Sequence, residues 1–417
     1  MLTTIIKRIR QLDRNFVLFL AVSACLGIAQ SIEGSAINNF FKDKLHVLIM
    51  QRSMLEFPRE LPGFLVFLVI GLLSTLNDVR INAIATVLSA CGMLLLGVIP
   101  ASYSVAIIFL FIYSMGQHLN MPLSNSIGMS FATDEKIGRK LGYISAANTA
   151  TLVLGSAVFL ILFRVYQIGY SVAFITGAVA LSVATILLLN MEPVKSKPRK
   201  QGIVYRKEYR LFYWLSILFG ARKQIFITFG PWVLVDVFKQ PLTTMTLLFF
   251  ITAVAGIFIK PLIGYLTDRL GERVVLTTEA GIFFFICLGY AFAGDIFRSP
   301  MALLVICICY IIDQSLTAVA ISRATYVRRI ALCKEDISPT LALGVSIDHI
   351  VSMFLPMLGG WIWYCFGAVG YKYVFLGGAV IAILNFYSSL KIKVNRQSEL
   401  LKDQNLFRNG TPSIKEG

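Results

Sequence analysis

The sequence predicts an all-α membrane protein with twelve transmembrane helices arranged in two six-helix halves. Its 417 residues are 57% hydrophobic and only 14% charged, whereas soluble domains carry about 25% charged residues. Apolar runs long enough to cross a bilayer recur along the chain. Basic residues outnumber acidic ones by 38 to 22, but they fall mainly in the short gaps between these runs. That distribution indicates a multi-pass membrane protein and not a nucleic-acid-binding one.

Each predicted span is an apolar segment of roughly the 20 residues that a helix needs to cross a bilayer. In chain order the segments are residues 15–38, 55–76, 82–100, 104–131, 140–163, 169–190, 211–235, 241–264, 274–294, 300–322, 339–365 and 370–391. The first segment follows Lys7, Arg8 and Arg10, as a signal peptide would. It is longer than the apolar core of a signal peptide, so we interpret it as a span.

The distribution of Lys and Arg also predicts the orientation. Most of these residues lie in the gaps that are cytoplasmic if both termini are inside the cell, as the positive-inside rule requires. The longest charged internal gap follows the sixth span. We therefore expect an N-terminal half (1–192), a cytoplasmic linker (193–210), a C-terminal half (211–393) and a disordered cytoplasmic tail (394–417). The short loops favour a bacterial cytoplasmic membrane.

Several function classes lack their usual sequence signals. The seven cysteines form no CxxC or Cys/His spacing, and the three histidines are spread along the chain. We therefore predict no metal site and no cofactor. No Gly-rich loop ending in GK[ST] is present, which argues against ATP-driven transport. An enzyme embedded in the membrane is disfavoured by the scattered histidines, and a receptor or scaffold without transport activity is the other alternative.

The predicted loop after the eighth span carries the most informative motif, GYLTDRLGER. Gly264 and Gly271 permit close helix approach and a tight turn. Asp268 can interact with a facing helix start, and Arg269 and Arg273 can anchor the cytoplasmic surface. The pattern resembles the loop signature of the major facilitator superfamily. The resemblance implies that these five residues latch the two halves and control switching between inward- and outward-facing states.

The resemblance to this family implies a secondary active transporter that works by alternating access, with a site near the midplane between the halves. The corresponding loop of the first half, GLLSTLNDVR, departs from the signature at Thr75 and Asp78, so the latch of that half is degenerate. Drug/proton antiporters of the family usually carry an Arg in the fourth span and a Gly-Pro pair in the fifth. Neither is present here, which disfavours that subgroup.

Ionisable residues inside the spans are the candidate site residues, because each costs roughly 2.5–3.5 kcal/mol on insertion scales and tends to face a cavity. Arg222 and Lys223 lie near the middle of the seventh span, Asp313 in the tenth and Asp348 in the eleventh. The two cations require anions, which are either the two aspartates or an anionic solute. Exchange of a proton on these aspartates would couple transport to a proton gradient.

Further polar residues of the spans complete the predicted substrate or proton-coupling set: Glu33, His118, Asn125, Gln314 and His349. The histidines either titrate during transport or are simply hydrogen-bonded in the core. Arg59 and Glu60, near the predicted outer end of the second span, pair with lipid headgroups or with each other.

Together, these features predict transport of a small polar or anionic organic solute, coupled to protons or sodium. The expected partners are that solute, the coupling ion and the lipid bilayer. The alternative is an exporter of amphipathic drugs or other hydrophobic compounds. A chain with two six-helix halves encloses its own pathway, so we expect a monomer.

Overall fold

The computed structural model describes most of the chain: residues 13–73, 75–99, 102–131, 137–193 and 205–393. These residues are almost entirely helical, and no strand occurs among them. The first twelve residues, most of the predicted linker and the predicted tail lie outside the described residues. The disorder of that tail therefore stays a prediction.

The described residues contain twelve long helices, the number predicted from the sequence. They are α1 (Arg14–Asp43), α2 (Glu56–Leu72), α3 (Asp78–Val98), α4 (Tyr103–Ser130), α5 (Ile137–Val165), α6 (Tyr170–Leu189), α7 (Arg210–Trp232), α8 (Leu242–Leu270), α9 (Glu272–Ile296), α10a and α10b (Ser299–Leu316 and Ala320–Ile330), α11 (Lys334–Phe366) and α12 (Gly370–Ser389). A turn of 3₁₀ helix separates α10a from α10b, and a short helix, Ile49–Met54, precedes α2.

Nine helical segments among the described residues are long and apolar enough to cross a membrane, and the last of them contains both α11 and α12. Helix α2 is shorter, with 17 residues, but only Leu55 separates it from the short helix before it. Helix α7 carries Arg222, Lys223 and Gln224 in its middle. The predicted all-α, multi-pass membrane fold is confirmed.

Local sequence signals set several helix ends. The side chain of Asp13 accepts a hydrogen bond from the backbone amide of Asn15 (3.0 Å), and the side chain of Asn77 accepts one from the amide of Arg80 (3.0 Å). Each thereby satisfies a backbone donor at the start of a helix. Gly271, between α8 and α9, has φ +84, which an L side chain rarely adopts. The glycine in the loop motif therefore makes the tight turn.

The helices pack most extensively within two groups, α1–α6 (the N-terminal bundle) and α7–α12 (the C-terminal bundle). Small residues allow close approach of helices inside the first group. A Cβ atom at Gly116 of α4 would lie 2.2 Å from the carbonyl oxygen of Ala85 in α3. Such contacts are typical of helix packing in membranes, where burial in lipid supplies no driving force between helices.

The two bundles meet mainly along α2 with α11, and α5 and α1 with α8. At the end of the molecule predicted to be external, Lys42 forms an ion pair with Asp236. Asn39 donates a hydrogen bond to the carbonyl of Gln240 (3.2 Å). The side chain of Trp232 is fully buried there. These contacts hold the bundles together at that end and place the polar residues of α2, α4, α7 and α11 near one another.

Candidate functional site

The two cations of α7 have separate partners. Arg222 is 1% exposed and contacts two carboxylates, with its Nε 2.7 Å from Oε1 of Glu279 and its Nη2 2.9 Å from Oδ1 of Asp313. Its guanidinium carbon also lies 4.9 Å from the ring centre of Phe283. We call Arg222, Glu279 and Asp313 the buried triad. All three residues belong to the C-terminal bundle.

Further hydrogen bonds orient the acids of the buried triad. Asn385 of α12 donates to Oε2 of Glu279 (3.3 Å), and Gln314 donates to Oδ2 of Asp313 (3.3 Å). The buried triad contains two carboxylates for one guanidinium. With both acids ionised the three residues carry one excess negative charge, and a buried charge is costly unless it is neutralised. The guanidinium of Arg323 interacts electrostatically with Glu279 as a further cation.

Lys223 forms an ion pair with Asp348, whose Oδ2 lies 2.8 Å from the lysine Nζ. These side chains are 18% and 14% exposed, so this pair is more accessible than the buried triad. Gly220 allows α11 to approach α7 here, because a Cβ atom would lie 3.1 Å from the Cα of Asp348. Ser352, one turn further along α11, has its hydroxyl 3.5 Å from the other carboxylate oxygen of Asp348.

His118 and His349 meet between the bundles. Their ring centres are 5.0 Å apart in an edge-to-face arrangement. Nδ1 of His349, from α11, lies 2.9 Å from Oε2 of Glu60, from α2. His118, Glu60 and His349 are 9%, 5% and 9% exposed, respectively. Near the middle of α2, Gly63 has no side chain, which leaves room for both rings.

A chain of ion pairs continues from Glu60 along α2. Arg59 contacts Glu60 (Nη2 to Oε1, 3.2 Å) and Glu56 (Nε to Oε2, 2.6 Å), and Glu56 also pairs with Arg52. Arg52 in turn donates to the carbonyl of Ile227 in α7 (3.3 Å), which joins the bundles. Of the two interpretations of Arg59 and Glu60, pairing with each other is therefore the one that the structure supports.

The remaining predicted residues occupy different environments. Glu33 of α1 accepts hydrogen bonds from Gln117 (2.8 Å) and Tyr113 (3.3 Å) of α4, all inside the N-terminal bundle. Asn125 is exposed on α4, further along the helix from His118. The structure thus brings Arg222 together with Asp313 and Gln314, and it pairs Lys223 with Asp348. It does not bring Glu33 or Asn125 to either pair.

The predicted latch residues lie where α8 turns into α9. Asp268, Arg269 and Arg273 are exposed, and Arg269 donates to the hydroxyl of Tyr265 (2.8 Å). The buried acid of this motif is Glu272, which is fully buried and lies 2.7 Å from Nε of Arg329 in α10b. A latching role for Gly264, Asp268, Arg269, Gly271 and Arg273 stays a prediction.

Sequence reasoning missed several buried acids, among them Glu56, Glu279 and the role of Glu60 as a partner of His349. The sequence could have identified Glu279, because it lies within the predicted span 274–294 and acids inside spans are rare. Arg323 was assigned to a cytoplasmic gap, but it lies in α10b. Its Nη2 donates to Ser216 (2.8 Å), and its guanidinium lies 4.0 Å from the ring centre of Phe219.

Comparison with known proteins places the chain among membrane transporters. A family model described as the Major Facilitator Superfamily matches residues 19–331. None of the curated proteins matches the sequence. A crystal structure of a mutant of the nucleoside transporter NupG is similar at a TM-score of 0.74 and 12% identity, over 91% of this chain and 99% of that one.

Two bacterial structures are similar over a comparable length. A bacterial homologue of the human lysosomal transporter Spinster, in an inward-facing and occupied conformation, gives a TM-score of 0.68 at 13% identity, over 96% of this chain and 98% of that one. A bacterial homologue of the iron transporter ferroportin, in an inward-facing state, gives 0.66 at 14% identity, over 91% and 99%. At these identities the likeness establishes the fold alone.

Proposed function

Because the chain belongs to the major facilitator superfamily, we propose that it moves a small polar or anionic organic solute across the membrane by alternating access, coupled to protons. Membership of this family makes the chain a multi-pass membrane transporter and not an enzyme. The substrate class, the coupling ion and the residues that carry them are the proposed part.

The observation that carries the proposal is the Lys223–Asp348 pair. It joins α7 to α11, is partly accessible, and lies close enough to Glu60 of the other bundle to interact with it electrostatically. An anionic group of a solute can take the place of the Asp348 carboxylate beside Lys223. The displaced carboxylate of Asp348 would then take up a proton, so neither Lys223 nor Asp348 would be left as an unpaired charge, which limits the cost of opening the pair.

Proton coupling is assigned to the acids that face the α7 cations. The buried triad holds two carboxylates on Arg222, so one of them can bind a proton while the other stays paired with the guanidinium. Movement of α7 away from α9 or α10a would remove the guanidinium from a carboxylate and favour its protonation, and the return of α7 would release the proton. Asp348 supplies a second proton-binding carboxylate when a solute displaces it from Lys223. Over this cycle the net charge of the site stays the same, whichever carboxylate holds the proton.

The first test is a thermal-shift screen of the purified chain against sugars, amino acids, organic acids, nucleosides, phosphates and lipophilic cations. A ligand that binds the folded protein raises its melting temperature by mass action. We expect a hydrophilic or anionic hit that is weakened in Lys223→Gln. Stabilisation only by lipophilic cations, unchanged in Lys223→Gln, would favour the exporter of amphipathic compounds instead.

The second test uses the hit in proteoliposomes. We expect a pH gradient to drive accumulation by the wild-type chain. Asp313→Asn and Asp348→Asn should reduce accumulation driven by the gradient while retaining exchange of labelled for unlabelled solute, which needs no net proton movement. Gradient-driven accumulation that survives in both variants would refute the assignment of proton coupling to these acids. A sodium gradient that drives accumulation at constant pH would refute proton coupling itself.

A further inference from the structure

Three potential metal-binding side chains come together between the bundles. One ligand atom of each of Glu60, His118 and His349 can be chosen so that all three atoms lie within 4.8 Å of one another. The residues are nearly buried, at 5%, 9% and 9% exposure. They are widely separated in the sequence, which is why the spacing of cysteines and histidines predicted no metal site. In the proposed transport function none of the three binds the solute or carries the coupling proton.

The hydrogen bonds of His118 leave one ring nitrogen available. Its Nδ1 lies 2.9 Å from the backbone carbonyl oxygen of Ser114 and 3.0 Å from the hydroxyl of the same residue. A carbonyl oxygen only accepts hydrogen bonds, so Nδ1 carries the proton and Nε2 presents its lone pair. A histidine that binds a metal usually donates its second N–H to a carbonyl or carboxylate in this way.

The carboxylate of Glu60 is also oriented. Its Oε2 faces Nδ1 of His349 (2.9 Å), and its Oε1 faces Arg59 (3.2 Å). Arg52 and Arg59 together balance the charges of Glu56 and Glu60 in the chain of ion pairs. Glu60 is the anionic member of the cluster with His118 and His349, and it offers a carboxylate oxygen as a metal ligand.

Gly63 supplies the space for the two rings. A Cβ atom on this residue would lie 2.4 Å from Cε1 of His349 and 2.7 Å from Cδ2 of His118. Both distances are shorter than real Cβ atoms allow. The absence of a side chain at this position of α2 thus permits His118 and His349 to converge beside Glu60.

We propose that Glu60, His118 and His349 bind a divalent first-row transition-metal ion that bridges the two bundles. Two imidazoles and one carboxylate suit Zn²⁺ and Fe²⁺, and such sites keep open positions for water or another ligand. Glu60 and His118 belong to the N-terminal bundle and His349 to the C-terminal bundle. The ion is bound fully only while α2 and α11 are in contact, so it stabilises that conformation over those in which the helices separate.

The direct test measures metal binding to the purified full-length chain, with Zn²⁺ and Co²⁺ as the probes. We expect one equivalent of Zn²⁺ by calorimetry and an X-ray absorption spectrum of the Zn²⁺-loaded wild-type protein with two imidazole ligands. We also expect Zn²⁺ to raise the melting temperature, because it binds the folded chain. Failure of the wild-type protein to bind Zn²⁺ or Co²⁺, or a spectrum without imidazole, would overturn the proposal without any variant.

Substitutions then locate the site. His118→Gln and His349→Gln should each weaken Zn²⁺ binding by about tenfold or more, as losses around metal sites do. His46→Gln is the matched control, because His46 is exposed in the loop after α1 and should leave binding unchanged. Gly63→Ala keeps all three ligands but displaces the rings, so it should weaken binding as well. Affinity that is unchanged in both His118→Gln and His349→Gln would place the metal elsewhere.

The metal-site proposal and the transport proposal can each be refuted without refuting the other. Zn²⁺ binding is measured on the isolated protein without any solute, so its loss leaves the solute screen unaffected. Conversely, a chain that transports no polar solute can still bind Zn²⁺ at Glu60, His118 and His349.

Discussion

Arg222 and Lys223 are adjacent on α7 but occupy different surroundings. Arg222 is 1% exposed and forms ion pairs with two carboxylates within one bundle, whereas Lys223 is 18% exposed and forms an ion pair with Asp348. Successive positions on a helix point about 100° apart, so neighbouring residues reach different neighbouring helices. One cation is directed into the C-terminal bundle and the other towards its accessible side.

The contrast separates a structural charge from an exchangeable one. Removing one member of a fully buried ion pair leaves an uncompensated charge in a medium that cannot solvate it. Removing one member of an accessible pair leaves a charge that water or a solute can still contact. We therefore expect the loss of Arg222 to reduce stability more than the loss of Lys223 does. For solute binding we expect the reverse, with the larger reduction on loss of Lys223.

The largest expected effect is the loss of stability in Arg222→Leu. This substitution removes the guanidinium that pairs with both Glu279 and Asp313, and we expect it to cost about 3–5 kcal/mol of unfolding free energy. Lys223→Leu is the matched control on the same helix and should cost about 1 kcal/mol or less. Both can be compared by denaturant unfolding in the same detergent. Equal losses in the two variants would show that accessibility does not distinguish the two pairs.

A smaller effect tests whether Lys223 and Asp348 interact directly. Lys223→Asp places two acids together and Asp348→Lys places two cations together, so each single variant should be less stable than the wild type. The double variant restores opposite charges, and we expect a coupling energy of about 0.5–3 kcal/mol from the double-mutant cycle. Additive effects, with no recovery in the double variant, would mean that this ion pair contributes nothing to stability.

Much of this arrangement was predictable, because the residues that carry charge inside apolar spans are visible in the sequence. Their depth follows from the helical rise of about 1.5 Å per residue. The two cations of α7 were predicted to need anions, either from Asp313 and Asp348 or from an anionic solute, and in the structure the two aspartates contact them. The spans themselves could be read from hydropathy, since a bilayer requires long helices with satisfied backbones.

The rest depended on tertiary packing. Periodicity gives the relative directions of side chains on one helix but not the rotation of that helix against its neighbours. The second acid on Arg222, Glu279, and the convergence of His118 with His349 were therefore not predicted. Glu60 was predicted to pair with lipid headgroups or with Arg59, because the sequence does not reveal that α11 packs against α2 at Gly63. Close approach of this kind is decided by small residues on both helices.

The smallest predicted effect concerns an acid–base pair outside the predicted spans, where water is available. Asp336, in the first turn of α11, lies 2.9 Å from Arg206, and the hydroxyl of Tyr209 donates to its carboxylate at 2.6 Å. The Tyr209 hydrogen bond is the main cause that lowers the pKa of Asp336 from its ordinary value, and the Arg206 guanidinium adds to it. An acid with a lowered pKa stabilises the fold above its ordinary value of about 3.9, and this contribution is lost as the pH falls through the pKa of the folded state.

Asp336→Asn should therefore lower the melting temperature slightly near neutral pH, and the difference from the wild type should shrink as the pH falls below about 4. The control is Asp295→Asn, which removes a half-exposed acid paired with Lys372 elsewhere on the surface. We expect that variant to differ little from the wild type, as exposed pairs usually do. A deficit in Asp336→Asn that stays constant down to the acid limit of the protein would mean that its carboxylate charge is not what stabilises the start of α11.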